Sequence, residues 1–194
     1  MNYLFFDIEC ANTFDGVGKI CEFGYVLVNE RLDTVKQGTF FINPSSEFDW
    51  YVKHKIIKHP IKKYVQSPLY PKAYKDGIKE LLERPDTVYV GHGVRDDVGY
   101  INDEAKRYSL PIFDRYTVDS SVIYKNYYSR ENKNSLKNIV KELEIGDCKK
   151  LHDSEYDAKM TLEYVRVMCK ESGLSFSQLI DKYLIKREKT PKTV

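Results

Sequence analysis

Asp7 and Glu9 stand two residues apart in the run Tyr3-Leu4-Phe5-Phe6-Asp7-Ile8-Glu9. The aromatic and β-branched residues around them predict a strand. Positions i and i+2 of a strand share a face, so both carboxylates project together at the end of an apolar segment. An ionised carboxylate there is costly unless a cation answers it, and a divalent ion does. A third acid, Asp97, follows a short apolar strand predicted over 87–90 and the His92-Gly93 turn. Strand-to-helix corners are where α/β sheets place ligands. Its neighbour Asp96 suits the ordinary role of an acid at a helix N-terminus. A fourth acid, Asp157, falls in the first turn of a helix predicted over 154–170 and capped at Asp153 or Ser154, with His152 on the loop before it. A loop histidine near neutral pKa can act as a general base. Four carboxylates in the order Asp-x-Glu, Asp, His-x4-Asp are what two divalent cations need around a phosphodiester.

The elements that must position these residues are legible in outline. Strands are predicted over 3–9, 20–28 and 38–42, with links short enough for an antiparallel meander. The Lys-rich stretch 45–71 reads as helical turns broken by Pro60 and Pro68. Strand–helix alternation follows: a helix over 73–82, the strand over 87–90, a helix over 96–108, an extended segment over 111–119, and helices over 135–143 and 154–170. Ser175 and Gln178 stand at capping-box spacing before a last helix, and the tail 186–194 is basic. Strands first, then alternation, predict one α/β domain with a mixed sheet.

The chain has 194 residues, long enough for one well-buried core. Lys plus Arg number 31 and Asp plus Glu 29, a net charge of +2 that excludes a strongly basic coat protein and an acidic tail protein. At 42% hydrophobic and 13% aromatic it is not a disordered chain. Cys10, Cys21, Cys148 and Cys169 form no CxxC pair and no zinc spacing, which suits a reduced, cytoplasmic protein. No signal peptide and no membrane-length apolar run is expected. Two glycine motifs fail: Gly16-Val17-Gly18-Lys19 lacks the P-loop's first Gly (Thr13) and its hydroxyl (Ile20). Gly91-His92-Gly93 begins a dinucleotide fingerprint, but Asp96 stands at the last glycine position. The strand-rich first half argues against reading His152-Asp153 as a helical HD phosphohydrolase motif.

The segments FFDIECAN, GHGVRDDVGYI and LHDSEYDAKMT resemble the three motifs of DEDDh-type 3′–5′ exonucleases, a family that includes the proofreading epsilon subunit of bacterial DNA polymerase III, RNase T and oligoribonuclease. The likeness extends to FFINP before the turn Lys58-His59-Pro60-Ile61, to Ser67-Pro68, to the Pro111-Ile112-Phe113 turn and to Ser135-Leu136, and it covers roughly residues 2–168. Departures are Cys10, where the family usually carries Thr beside the terminal nucleotide, Gly93, where Asn is common, and Asp96, where Phe is common.

The resemblance implies a ribonuclease H-like α/β domain over 1–172, with a mixed five-stranded sheet flanked by helices, and a C-terminal helix and basic tail over 173–194. It implies hydrolysis of terminal phosphodiesters of single-stranded DNA from the 3′ end, with two divalent cations, Mg²⁺ or Mn²⁺, which hard carboxylate oxygens suit. Asp7, Glu9 and Asp157 would hold the metal that binds the attacking water, Asp7 would reach the second, Asp97 would support it through water, and His152 would take the proton. Cys10, Ala11 and His92 would adjoin the substrate. Two basic and aromatic segments, 53–64 with Lys62 and Lys63 and 124–133 with Tyr127 and Arg130, could hold the strand. DNA is favoured over RNA, and a DNA polymerase is an implied partner. An exoribonuclease and an inactive nucleic-acid-binding module are the alternatives. The complete set of five site residues argues against the second.

Overall fold

The computed structural model describes residues 1–12, 18–132 and 134–184. Five strands form one sheet in the order β3-β2-β1-β4-β5. β1 (Asn2–Cys10), β2 (Ile20–Asn29) and β3 (Thr34–Phe41) make the antiparallel meander; β4 (Thr87–Gly91) and β5 (Thr117–Asp119) add in parallel. Among the described residues eight α-helices surround the sheet: α1 (Ile61–Val65), α2 (Tyr70–Ala73), α3 (Lys79–Leu82), α4 (Arg95–Arg107), α5 (Ser120–Tyr127), α6 (Leu136–Glu142), α7 (Ser154–Ser172) and α8 (Phe176–Tyr183).

β1 is central, so both of its faces are buried and its residues from Tyr3 to Phe6 are apolar without a gap. Leu4, Phe6 and Ile8 point into a core shared with Tyr70, Tyr74, Val98 and Ile101. Tyr3 and Phe5 point the other way, against α5, α7 and α8, where Phe176 meets both rings at 4.9 and 5.8 Å. Period-2 alternation continues this second face to Asp7 and Glu9, so the paired carboxylates lie on the side that α7 covers.

Four elements differ from the sequence reading. β3 begins at Thr34, four residues early, because its first half is an exposed polar edge with no apolar alternation. The helix expected over 73–82 is divided by a π-helical turn, Tyr74–Ile78. Gly77 inside that turn is non-helical, and a Cβ there would stand 2.7 Å from the Phe40 ring. Only 117–119 of the extended segment pairs as a strand. Helix α5 was unforeseen; Asp119 caps it by accepting from Ser121 N–H at 3.0 Å. The capping box at Ser175 and Gln178 is present. The tail 186–194, Lys133, and residues 13–17 with part of the P-loop-like segment lie outside the described residues. No described helix is long and apolar enough to cross a membrane.

Candidate active site

β1 and β4 pair only from Asn2–Thr87 to Phe5–Val90, so the last part of β1 leaves the sheet on that side. Its Ile8 N–H donates instead to the Asp97 carboxylate at 3.2 Å. This bond draws the first turn of α4 onto β1 and buries Asp97, while Asp96 stays exposed on the helix. The register therefore puts Asp97, not its neighbour, beside Asp7 and Glu9.

On the other side, α7 approaches the sheet at an unusual distance. Asp7 stands opposite Gly24 of β2, and a Cβ at Gly24 would lie 2.1 Å from the backbone of Ser154 and Glu155. Only glycine admits that contact. Glu22, opposite Glu9, is fully buried and accepts from Ser154 N–H at 3.3 Å and Ser154 Oγ at 3.0 Å, while the Tyr64 hydroxyl donates to its other oxygen. Burial pushes the Glu22 carboxyl above the usual range, against the pull of these three donors. Glu22 escaped sequence reasoning; its one signal was a charge inside the apolar run ICEFGYVLV.

Seated in this way, α7 brings Asp157 to the carboxylates of β1. Asp157 Oδ2 accepts from His152 N–H at 3.1 Å; its buried Oδ1 has no hydrogen-bond partner among the described residues. Ligand atoms of Glu9, His152 and Asp157 all lie within 4.8 Å of one another. His152 is in the left-handed region (φ 72°), which histidine adopts more often than most non-glycine residues, and its Nδ1 is 3.5 Å from Glu9 Oε1. Burial, then the neighbouring acids Asp97, Asp157, Glu9 and Glu22, hold Asp7 well above the carboxylate range. Asp97 is raised for the same first reason, partly offset by the Ile8 bond, and Asp157 is pushed up to about 7. The bond to Glu9 raises His152. Crowded acids that resist ionisation, with an orphaned oxygen among them, fit a site completed by cations. The carboxylate oxygens of this set suit a hard divalent cation.

The other expected substrate residues are dispersed. Cys10 is partly exposed at a register shift that ends β1, next to Gly18 and the Tyr100 ring. Ala11 lies in the interior. It is fully buried with Cys21 and Tyr64, its N–H donates to Lys19 O and its carbonyl accepts from Asp49 N–H. His92 Nδ1 lies 3.1 Å from the hydroxyl of the core residue Tyr164, which ties the ring to the interior. Lys62 is exposed on α1; Lys63 sits over the Phe41 ring at 3.5 Å and 3.4 Å from His59 Nδ1. Tyr127 and Arg130 do not join the carboxylates: Tyr127 packs on Tyr128 and on Tyr183 of α8, and Arg130 pairs with Glu142. Exposed aromatics lie elsewhere. Asn12 donates to Ser46 Oγ and Glu47 O, pinning a loop from which Trp50 and Tyr51 project, 67% and 59% exposed.

A fold of this topology with carboxylates gathered from β1, α4 and α7 defines a nuclease-type site, and comparison with known proteins gives the family. The exonuclease family of RNase T matches residues 4–165, and the chain belongs to it. A PolC-type DNA polymerase III of Ureaplasma parvum is 24% identical over 168 residues, covering 86% of this chain and 11% of the polymerase. Among solved structures, a 3′-exonuclease that recognises a histone mRNA stem-loop superposes with a TM-score of 0.76 at 15% identity, covering 90% of this chain and 83% of that one. E. coli exonuclease I bound to single-stranded DNA gives 0.76 at 14% identity, covering 93% and 42%. The nuclease domain of the DEDDh family member 3′hExo gives 0.67 at 18%, covering 87% and 94%. The five-stranded ribonuclease H-like fold is thus shared with DEDDh exonucleases.

Proposed function

We propose that the protein is a metal-dependent 3′–5′ exonuclease that releases nucleoside 5′-monophosphates from single-stranded DNA. The observation that carries this reading is the convergence of Asp7, Glu9, Asp97 and Asp157 with His152 at one end of β1. Asp7, Glu9, Asp97 and Asp157 would hold the divalent cations, which would lower the pKa of the attacking water and stabilise charge on the leaving 3′ oxygen. His152 turns Nδ1 toward Glu9, which favours a proton on that nitrogen and leaves Nε2 as the acceptor for the proton of the attacking water. The left-handed backbone at His152 aims the ring from the loop over the site. Cys10 borders the terminal nucleotide, and Trp50 and Tyr51 offer stacking faces to bases farther along the strand.

An exoribonuclease is the second reading, favoured by the likeness to the 3′-exonuclease of the histone mRNA stem-loop. The PolC-type relative favours a proofreading role beside a polymerase. The deciding experiment follows DNA, RNA and duplex oligonucleotides labelled at the 5′ end with Mg²⁺ or Mn²⁺. A descending ladder, strongest on single-stranded DNA and abolished by Asp7→Asn, is expected. Undiminished cleavage by that variant would overturn the assignment.

A further inference from the structure

Beside the carboxylate centre, on the far side of the His152 loop, lies a groove of about 390 Å³. Its rim carries Lys58, from the segment before α1, Lys149 and Lys150, from the loop before His152, and Lys159, from the second turn of α7. All four are exposed, and among the described residues none has an ion-pair partner within 4.0 Å. The groove's two acids are engaged elsewhere. Asp153 accepts from Tyr156 N–H at 3.1 Å and pairs with His59 Nε2 at 3.2 Å. Glu155 accepts from Gln37 at 3.2 Å and from Thr39 at 3.1 Å. The Lys149–Lys150 loop is itself held, because Asp147 N–H donates to the Tyr156 hydroxyl at 2.6 Å and Lys150 Nζ lies 5.9 Å from that ring's centre. Four lysines against two acids leave the groove with net positive charge, on a fixed backbone. It also adjoins the site: His152 follows Lys150 by two residues, and Lys58 is near enough to act on the imidazole electrostatically.

We infer that this groove is a track for the phosphate backbone of the single strand, holding nucleotides upstream of the 3′ end delivered to Asp7 and Glu9. The inference rests on the exonuclease reading and adds a surface distinct from Lys62 and Lys63. Lysine suits the task as a point charge that contacts successive phosphates without reading bases. The acids that crowd the centre repel an incoming strand, and four lysines immediately beside them offset that repulsion where the strand enters.

The test compares wild type with Lys149→Gln/Lys150→Gln, and with Lys58→Gln/Lys159→Gln. The first readout is binding of a fluorescent single-stranded DNA by anisotropy, across salt concentrations, with Ca²⁺ present. The second is hydrolysis of thymidine 5′-monophosphate p-nitrophenyl ester with Mn²⁺, which needs the centre but not the groove. Each double variant should reduce the slope of log K against log salt by about 1.4, two phosphate contacts at roughly 0.7 each for a single strand. Ester hydrolysis by Lys149→Gln/Lys150→Gln should be unchanged, which also shows that this variant folds. Unchanged slopes with intact ester hydrolysis would overturn the groove alone; a wild type inactive on both ester and DNA would instead overturn the exonuclease reading. An RNA of the same sequence should show the same change in slope, since phosphate is common to both. A change confined to one sugar would overturn a phosphate track.

Discussion

Asp157 has one carboxylate oxygen bonded to the His152 backbone and the other buried without a partner, an arrangement that costs free energy until a cation completes it. His152 is constrained in a different way, by a left-handed backbone that few non-glycine residues adopt. Asparagine is among those that do, so His152→Asn removes the imidazole without adding backbone strain. We expect it to lower kcat by about 10²- to 10⁴-fold, the usual loss of a general base, with little change in thermal stability. Because the contact with Glu9 raises the histidine, the neutral base forms only above its ordinary range. The wild-type rate should rise with pH through a group above 6.5, and the variant should lose that limb. A pH–rate profile of mononucleotide release checks both. At this scale the sequence was informative where short spacing carried the information: the Asp7–Glu9 pair, Asp97 after its turn, and the His152–Asp157 step. Glu22 and the lysine groove were not legible, apart from Lys58 in the basic segment 53–64, since both arise from pairings across the sheet and around α7 that no local pattern encodes.

Among the elements, α7 has the most to position and the least room. Its first turn rests on Gly24 with space for no side-chain atom, and its N-terminus is held by Glu22. Gly24→Ala should destabilise by about 1–3 kcal/mol as an overpacked contact, and should lower kcat further by moving Asp157 away from Asp7. Gly99→Ala is the counterpart: it lies in α4 with nothing within 4 Å of an added Cβ, and should stabilise by about 0.5–1 kcal/mol with kcat unchanged. Urea unfolding beside single-turnover rates distinguishes the two outcomes. The helices with clear caps, at Ser135, Asp153 and Ser175, were readable from sequence because a cap is a local hydrogen bond. β3 and α5 were less so. An exposed edge strand shows no alternation, and the tyrosines Tyr124, Tyr127 and Tyr128 of the α5 region, which suggested a binding surface, pack on one another and on α8.

For the whole molecule, the net charge of +2 is a sum over an acidic centre and a basic groove beside it. The acidic centre couples stability to pH. Asp7, Asp97 and Asp157 all have folded-state pKa values above their unfolded ones, so the folded state holds more protons between the two. The contribution of Asp157 is full below about pH 4 and is lost as pH rises through about 7, and those of Asp7 and Asp97 are lost in the same direction. With chelator, Tm should therefore fall between pH 5 and 8; with Mn²⁺, which binds the ionised carboxylates, the fall should be reversed. Thermal melts in the two buffers check this, and superimposable curves would count against a metal site. The site is also assembled from distant parts of the chain: Asp7 from the first strand, Asp97 from mid-chain, Asp157 from a helix near the end of the described fold. During synthesis Asp7 and Glu9 emerge on the order of ten seconds before Asp157, at ordinary elongation rates. Until α7 settles on Gly24 the nascent chain carries only isolated carboxylates, so the site comes into being only when nearly the whole fold has left the ribosome.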